Sequence, residues 1–225
     1  KTMSEEFIRA RTKEQKEIRM SAVMEVTDAQ FHKMPYQSIT LSTIARDLGS
    51  SRANLYRYVK TKEEIFLQLY LQKEKACIQE MQSLEDIVPC DPALFGAKMA
   101  EIFFHHLDFI HYQSILAQII EQNVSLEALT AFKKQVREDR APVYALLKKQ
   151  CPSLSQKQIQ QMFLTFLYES SGLYAHTQAS PLTIKAMELA GFTNQNDSFT
   201  DMLAEFITMC MQHYRPFHHK ENSHD

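Results

Sequence analysis

Apolar residues recur at three- and four-residue spacing along nearly the whole chain, and no stretch alternates as a half-buried strand does. The pattern predicts an all-α protein of about nine helices. The first is predicted over residues 12–33, opened by a Thr12-x-x-Gln15 capping box and stopped by Pro35, with Ile18, Ala22, Val26 and Ala29 along one face. A second short helix over 40–48 places Leu41, Ile44, Ala45 and Leu48 on one side, and Gly49 provides a left-handed stop. Ser50 or Ser51 then caps a third. Thr61-x-x-Glu64 opens a fourth over about 62–84, with Ile65, Leu69, Gln72 and Ala76 along one side.

Asp91-Pro92 marks a fresh start, with proline at a first helical position. Further helices are expected over 92–108, 112–122 and 126–150, the last broken or kinked at Pro142. Ser155-x-x-Gln158 caps a strong helix to about 177, a short one is placed after Pro181, and Ser198-x-x-Asp201 opens the last, to about 214. The polar end of the sequence, 218–225, carries no such pattern. No apolar run reaches the length of a membrane span and no signal-peptide pattern opens the chain, so the expected location is the cytoplasm.

Residues 36–66 are the most informative stretch. Two short amphipathic helices joined by a glycine turn outline a helix-turn-helix, and the second carries Arg52, Asn54, Tyr56, Arg57 and Tyr58, side chains able to reach phosphates and base edges. These residues resemble the DNA-binding domain of the TetR family of bacterial transcriptional regulators. The resemblance rests on Thr40, Ile44-Ala45, Gly49, Leu55-Tyr56-Arg57-Tyr58 and Lys62. Ser50 stands where the family prefers an apolar residue and Val59 where it has Phe, changes expected to weaken the small domain's packing.

The resemblance implies a helix-turn-helix domain over 1–61, a helical effector-binding and dimerisation domain over 62–217, and a polar tail. It also implies DNA contacts from Thr40, Ser51, Arg52, Asn54, Tyr56, Arg57, Tyr58 and Lys62. Arg52, Asn54 and Arg57 are the candidates for base readout, since Arg matches guanine O6/N7 and Asn matches adenine N6/N7. Lys62, at a helix start, is the candidate for a phosphate.

Charge changes the picture only when divided. The net charge of −2 argues poorly for a polyanion partner. Residues 1–62, however, hold 12 Lys and Arg against 7 Asp and Glu, and the remaining residues hold 13 against 20. The basic end coincides with the motif, as expected where one end meets nucleic acid. Cys77, Cys90, Cys151 and Cys210 form no C-x-x-C pair and read as reduced thiols.

One such domain would grip few phosphates, so the mechanism requires two copies on a palindromic double-stranded operator. The expected homodimer interface is a four-helix one, drawing Ile159, Phe166, Ser170 and Leu173 from one helix and Met202, Phe206 and Cys210 from the last. The middle helices carry aromatic stripes that default to core. The resemblance implies that some of them, namely Phe103, His106, Tyr112, Leu116, Tyr144 and Phe163, line a pocket for a small, largely apolar effector. It further implies a repressor released by that effector, with the fourth helix coupling the two ends. A DNA-binding regulator answering to a protein partner, or acting constitutively, is the alternative. His105, His106 and His111 lack the i, i+3 or i, i+4 spacing that converges on a metal, and no cofactor is expected. No phosphate loop, G-x-S-x-G or H-E-x-x-H supports an enzyme.

Overall fold

The computed structural model describes residues 13–87, 91–177, 180–192 and 198–213. Among them stand eleven α-helices and no strand. These are α1 (Lys13–Phe31), α2 (Leu41–Asp47), α3 (Arg52–Leu55), α4 (Lys62–Met81), α5 (Pro92–His105), α6 (Leu107–Ile115), α7 (Leu126–Asp139), α8 (Ala141–Gln150), α9 (Gln156–Thr177), α10 (Pro181–Leu189) and α11 (Phe199–His213). None is long and apolar enough to cross a membrane. The expected cap at Thr12, the cysteine at 90 and the polar tail lie outside the described residues.

Local chemistry sets most boundaries. Asp91 caps α5 by accepting from Leu94 N at 3.0 Å. Ser155 and Gln158 satisfy each other's backbone N–H at the start of α9. The long segment expected over 126–150 is two helices parted at Arg140, because Pro142 falls in the first turn of α8. The helix expected over 112–122 starts at Leu107 instead and gives way to a π-helical turn at Leu116–Ile120. His106, at φ −113 and ψ 38, separates it from α5.

The chain divides into two compact units, residues up to Glu74 with Ile115–Arg137, and Lys75–Ser114 with Glu138 onward. In the first, Ile39, Ile44, Leu48, Leu55, Val59, Ile65 and Phe66 form the buried core. Two predicted faces are displaced there. Ile18 of α1 is 60% exposed, and the helix buries Arg19, Val23, Thr27, Gln30 and Phe31. The polar members of that face are used: Thr27 donates to Val23 O, and Gln30 reaches α2. On α4, Gln72 and Ala76 are exposed while Tyr70, Glu74 and Cys77 are buried.

In the second unit α5 packs against α11 at Gly96, and α9 lies against both α8 and α11. Phe95, Met99, Phe103, Phe109, Tyr112, Phe163 and Phe166 fill its core.

Candidate nucleic-acid interface

The helix-turn-helix is built by reciprocal caps. Thr40 Oγ1 accepts from Thr43 N at 3.1 Å while Thr43 Oγ1 accepts from Thr40 N at 3.0 Å, closing a capping box at the start of α2. Gly49 sits at φ 61, the left-handed stop the turn requires. Ser51 caps α3 by accepting from Asn54 N at 3.2 Å. The α-helix then runs only four residues. Tyr56, Arg57 and Tyr58 lie on a tightening turn closed by Arg57 N to Asn54 O and Tyr58 N to Leu55 O.

The outward side of this element presents Ser51, Arg52, Tyr56 and Arg57, all exposed, and Thr40 is exposed at the start of α2. Arg52 stands over the Tyr56 ring, 5.2 Å from its centroid, and donates from Nη2 to Tyr56 Oη at 2.6 Å. Asn54 is half-buried and donates from Nδ2 to Ser50 Oγ at 3.2 Å. The serine at 50 therefore serves as acceptor for a recognition-helix amide. Val59 is buried to 2% exposure, so the smaller side chain still seals the domain.

Two predicted contacts are held by the protein itself. Tyr58 Oη accepts from Arg19 Nη1 at 2.9 Å. Lys62 Nζ donates to Tyr36 O and Ile39 O, each at 2.8 Å. Burial holds this ammonium below its ordinary pKa, opposed by Glu63.

Sequence reasoning passed over Gln30, Arg19, Tyr36 and Glu63. Gln30 accepts from Thr43 Oγ1 at 2.9 Å and donates to Asp47 Oδ2 at 2.7 Å, pinning α2 at both ends. Hydrogen bonds from Gln30 and then Arg46 hold the Asp47 carboxyl below its usual range. A signal was available: Arg19, Val23, Thr27 and Gln30 share a helical face, though two of them are long polar residues.

The other predicted sites are placed as follows. Phe103, Tyr112 and Phe163 are fully buried, Leu116 nearly so, and Tyr144 meets Phe163 edge-on at 5.9 Å. His106 donates from Nε2 to Glu80 Oε2 at 2.8 Å, and His105 donates from Nδ1 to the other oxygen at 2.7 Å. These bonds, His105 first, hold Glu80 below the usual carboxylate range against the opposing effect of burial. An open cleft of about 510 Å³ lies elsewhere, in the first unit between α4 and α7. Lys60, Glu64, Leu67, Gln68 and Leu71 line one wall, and Ala128, Ala131, Phe132 and Gln135 the other.

Of the seven residues expected at a dimer interface, Ile159, Phe166 and Ser170 are completely covered within the chain and Leu173 is 7% exposed. Met202, Phe206 and Cys210 are half-exposed. Burial, and then Glu169, raise the Cys210 thiol's pKa.

Residues 23–69 match the family model described as bacterial regulatory proteins of the tetR family. Residues 72–213 match that of the tetracyclin repressor-like C-terminal domain. The chain belongs to the TetR family. It is a transcriptional regulator with a DNA-binding domain, not an enzyme. No curated protein sequence matches it. Solved structures that share its fold include the following two. The fatty acid degradation regulator FadR from Bacillus halodurans is 15% identical at a TM-score of 0.54, over 85% of this chain and 93% of that one. A transcriptional regulator of the TetR/AcrR family from Thermobifida fusca YX-ER1 is 17% identical at 0.52, over 88% and 98%. The exposed Arg52, on α3, and Tyr56 and Arg57, on the turn that follows it, lie within the residues matched by the tetR family model.

Proposed function

We propose that the protein is a homodimeric repressor that binds a palindromic DNA operator and is released by a small-molecule effector. The observation that carries the DNA side is the exposed Arg52–Tyr56–Arg57 face on a capped helix-turn-helix, at the basic end of an otherwise acidic chain. Arg52, Arg57, Tyr56 and the Thr40 and Ser51 hydroxyls supply the contacts, with Asn54 held beside them by Ser50.

Dimerisation is supported by two outward stripes. On α9, Gln161, Thr165, Tyr168, Gly172 and Ala175 recur at helical spacing opposite the buried face, and Tyr168 is 62% exposed. On α11, Met202, Phe206, Met209 and His213 do the same. A Cβ at Gly172 would meet nothing within 4 Å, leaving room for close approach by a partner helix. This stripe replaces Ile159, Phe166, Ser170 and Leu173 as the proposed interface on α9, since those side chains already pack inside their own subunit.

The effector reading is supported by the open cleft beside α4. Its volume falls in the range of small-molecule sites, and Leu67, Leu71 and Phe132 give it an apolar floor. An occupant pressing on α4 there acts one to two turns beyond Lys62, on the helix whose start borders the reading head. An effector that favours one orientation of α4 lowers operator occupancy by its differential affinity.

Selection of bound fragments from genomic DNA tests the proposal, followed by affinity measurements over a salt series and sedimentation of the free protein. A palindromic site, a steeply salt-dependent affinity and a dimer are expected. A monomer at working concentrations, or affinity indifferent to salt, refutes it.

A further inference from the structure

The turn between α2 and α3 closes as a Schellman motif. Gly49 N donates to Arg46 O at 3.0 Å and Ser50 N donates to Ala45 O at 2.9 Å. The residue after the left-handed glycine of this motif commonly packs an apolar side chain against the end of the helix it leaves. Here that residue is a half-buried serine. Among the described residues its hydroxyl meets one group, Asn54 Nδ2 at 3.2 Å. The side chain thus forgoes packing on α2 and acts on an amide of α3.

The backbone on both sides of this bond is fixed. The motif holds Ser50, while Asn54 N donates to Ser51 O at 3.0 Å and to Ser51 Oγ at 3.2 Å. The Asn54 amide retains one soft motion, rotation about its last torsion, which exchanges oxygen and nitrogen. A carboxamide has two N–H donors and one carbonyl acceptor. The Ser50 hydroxyl takes one N–H and so sets the torsion, leaving the oxygen and the second N–H for another partner. An acceptor beside a donor matches the major-groove edge of adenine, with N6–H to the oxygen and N7 to the nitrogen. Guanine presents acceptors at both positions and leaves the oxygen unmatched. Cytosine and thymine each offer one polar group.

We propose that Asn54 reads an adenine in each half of the operator, and that Ser50 is the positioning residue that fixes the polarity of its amide. The inference rests on the DNA-binding reading above and adds to it a base and a residue outside the recognition helix. Without the hydroxyl the amide turns over freely, and only one of its two orientations fits adenine.

The test uses the full chain and the operator recovered by selection, with duplexes carrying each base in turn at every position of one half-site competing for the protein. Wild type is expected to prefer adenine at one position by about thirtyfold, the size of one bidentate base contact. Asn54→Ala abolishes that preference and leaves the other positions as they were. Ser50→Ala lowers it about fivefold at the same position, the equivalent of one hydrogen bond. Ser50→Thr and Ser50→Val match in shape and differ in the hydroxyl, so Thr keeps the preference and Val loses it as Ala does. Adding Ser50→Ala to Asn54→Ala changes nothing further, because the serine acts through the amide. Circular dichroism checks folding, and the Thr and Val pair carries the test if Ser50→Ala folds poorly. Wild-type base preference in both Ser50→Ala and Ser50→Val overturns the inference. So does an equal loss of affinity for every sequence, which would make Ser50 purely structural, or a base other than adenine at the position Asn54 controls. A wild type that selects no common sequence sinks the DNA reading itself, whereas a recovered palindrome with unaltered preferences in the variants sinks this inference alone.

Discussion

Gly96 offers a quantitative check on how α5 and α11 meet. A Cβ built there would stand 2.4 Å from Thr208 Oγ1, 2.8 Å from Ala204 O and 3.2 Å from Thr208 N. The hydroxyl belongs to a side chain that also bonds to Ala204 O at 2.7 Å and to Pro92 O at 3.3 Å. The Ala204 carbonyl is helix backbone and cannot swing aside, so α11 itself must move. Replacing a mid-helix glycine by alanine gains about 1 kcal/mol in propensity. Overpacking a tight contact costs about 1–3 kcal/mol, and a backbone obstacle places this site at or beyond the upper figure. Gly96→Ala is therefore expected to destabilise the protein by about 2 kcal/mol or more net.

Gly172 is the contrast, because a Cβ there meets nothing in its own subunit while the proposed interface brings a partner helix against it. Gly172→Ala should leave the fold intact, gain about 1 kcal/mol of helix propensity within the subunit and weaken dimerisation on sedimentation. Both variants are measured by urea denaturation at one fixed protein concentration, since a dimer's stability depends on it. Adding Thr208→Ala to Gly96→Ala removes the nearest atom but leaves the Ala204 carbonyl, so only partial recovery is expected. Gly96→Ala as stable as wild type would refute the close crossing, and full recovery in the double variant would place the obstacle in the side chain.

Phe206→Glu puts a charge into the outward stripe of α11 and should convert the dimer to monomer by sedimentation, with operator affinity falling and helix content kept. Arg52→Ala should relax base preference at one operator position at a cost of about 1–3 kcal/mol, read by repeating the selection; a uniform loss at every position would make it a phosphate contact. Glu80 supplies a pH test. Its folded carboxyl is depressed by His105 and His106, so its stabilisation is present above the unfolded value, near ~4.3, and is lost as pH falls through the folded one. Glu80→Gln should therefore lower the melting temperature at neutral pH, with the gap to wild type closing below that window. A gap independent of pH would refute the assignment.

Which parts of the fold were legible in the sequence follows from the range of the forces involved. Caps and breaks are local, so Thr40, Ser51, Thr61, Ser155 and Pro142 announce their helices without reference to anything distant. Faces are not local. Ile18 falls on an apolar stripe yet lies in solvent, while the buried face of α1 includes Arg19 and Gln30. Those two are buried because Tyr58 and the ends of α2 offer hydrogen bonds, and such partners are invisible to periodicity. Lys62 illustrates the same limit at the site. Its position at a helix start suggests a phosphate, but its partners are carbonyls more than twenty residues earlier. A long cationic side chain is thus assigned by what its ammonium can reach, not by where its Cα sits.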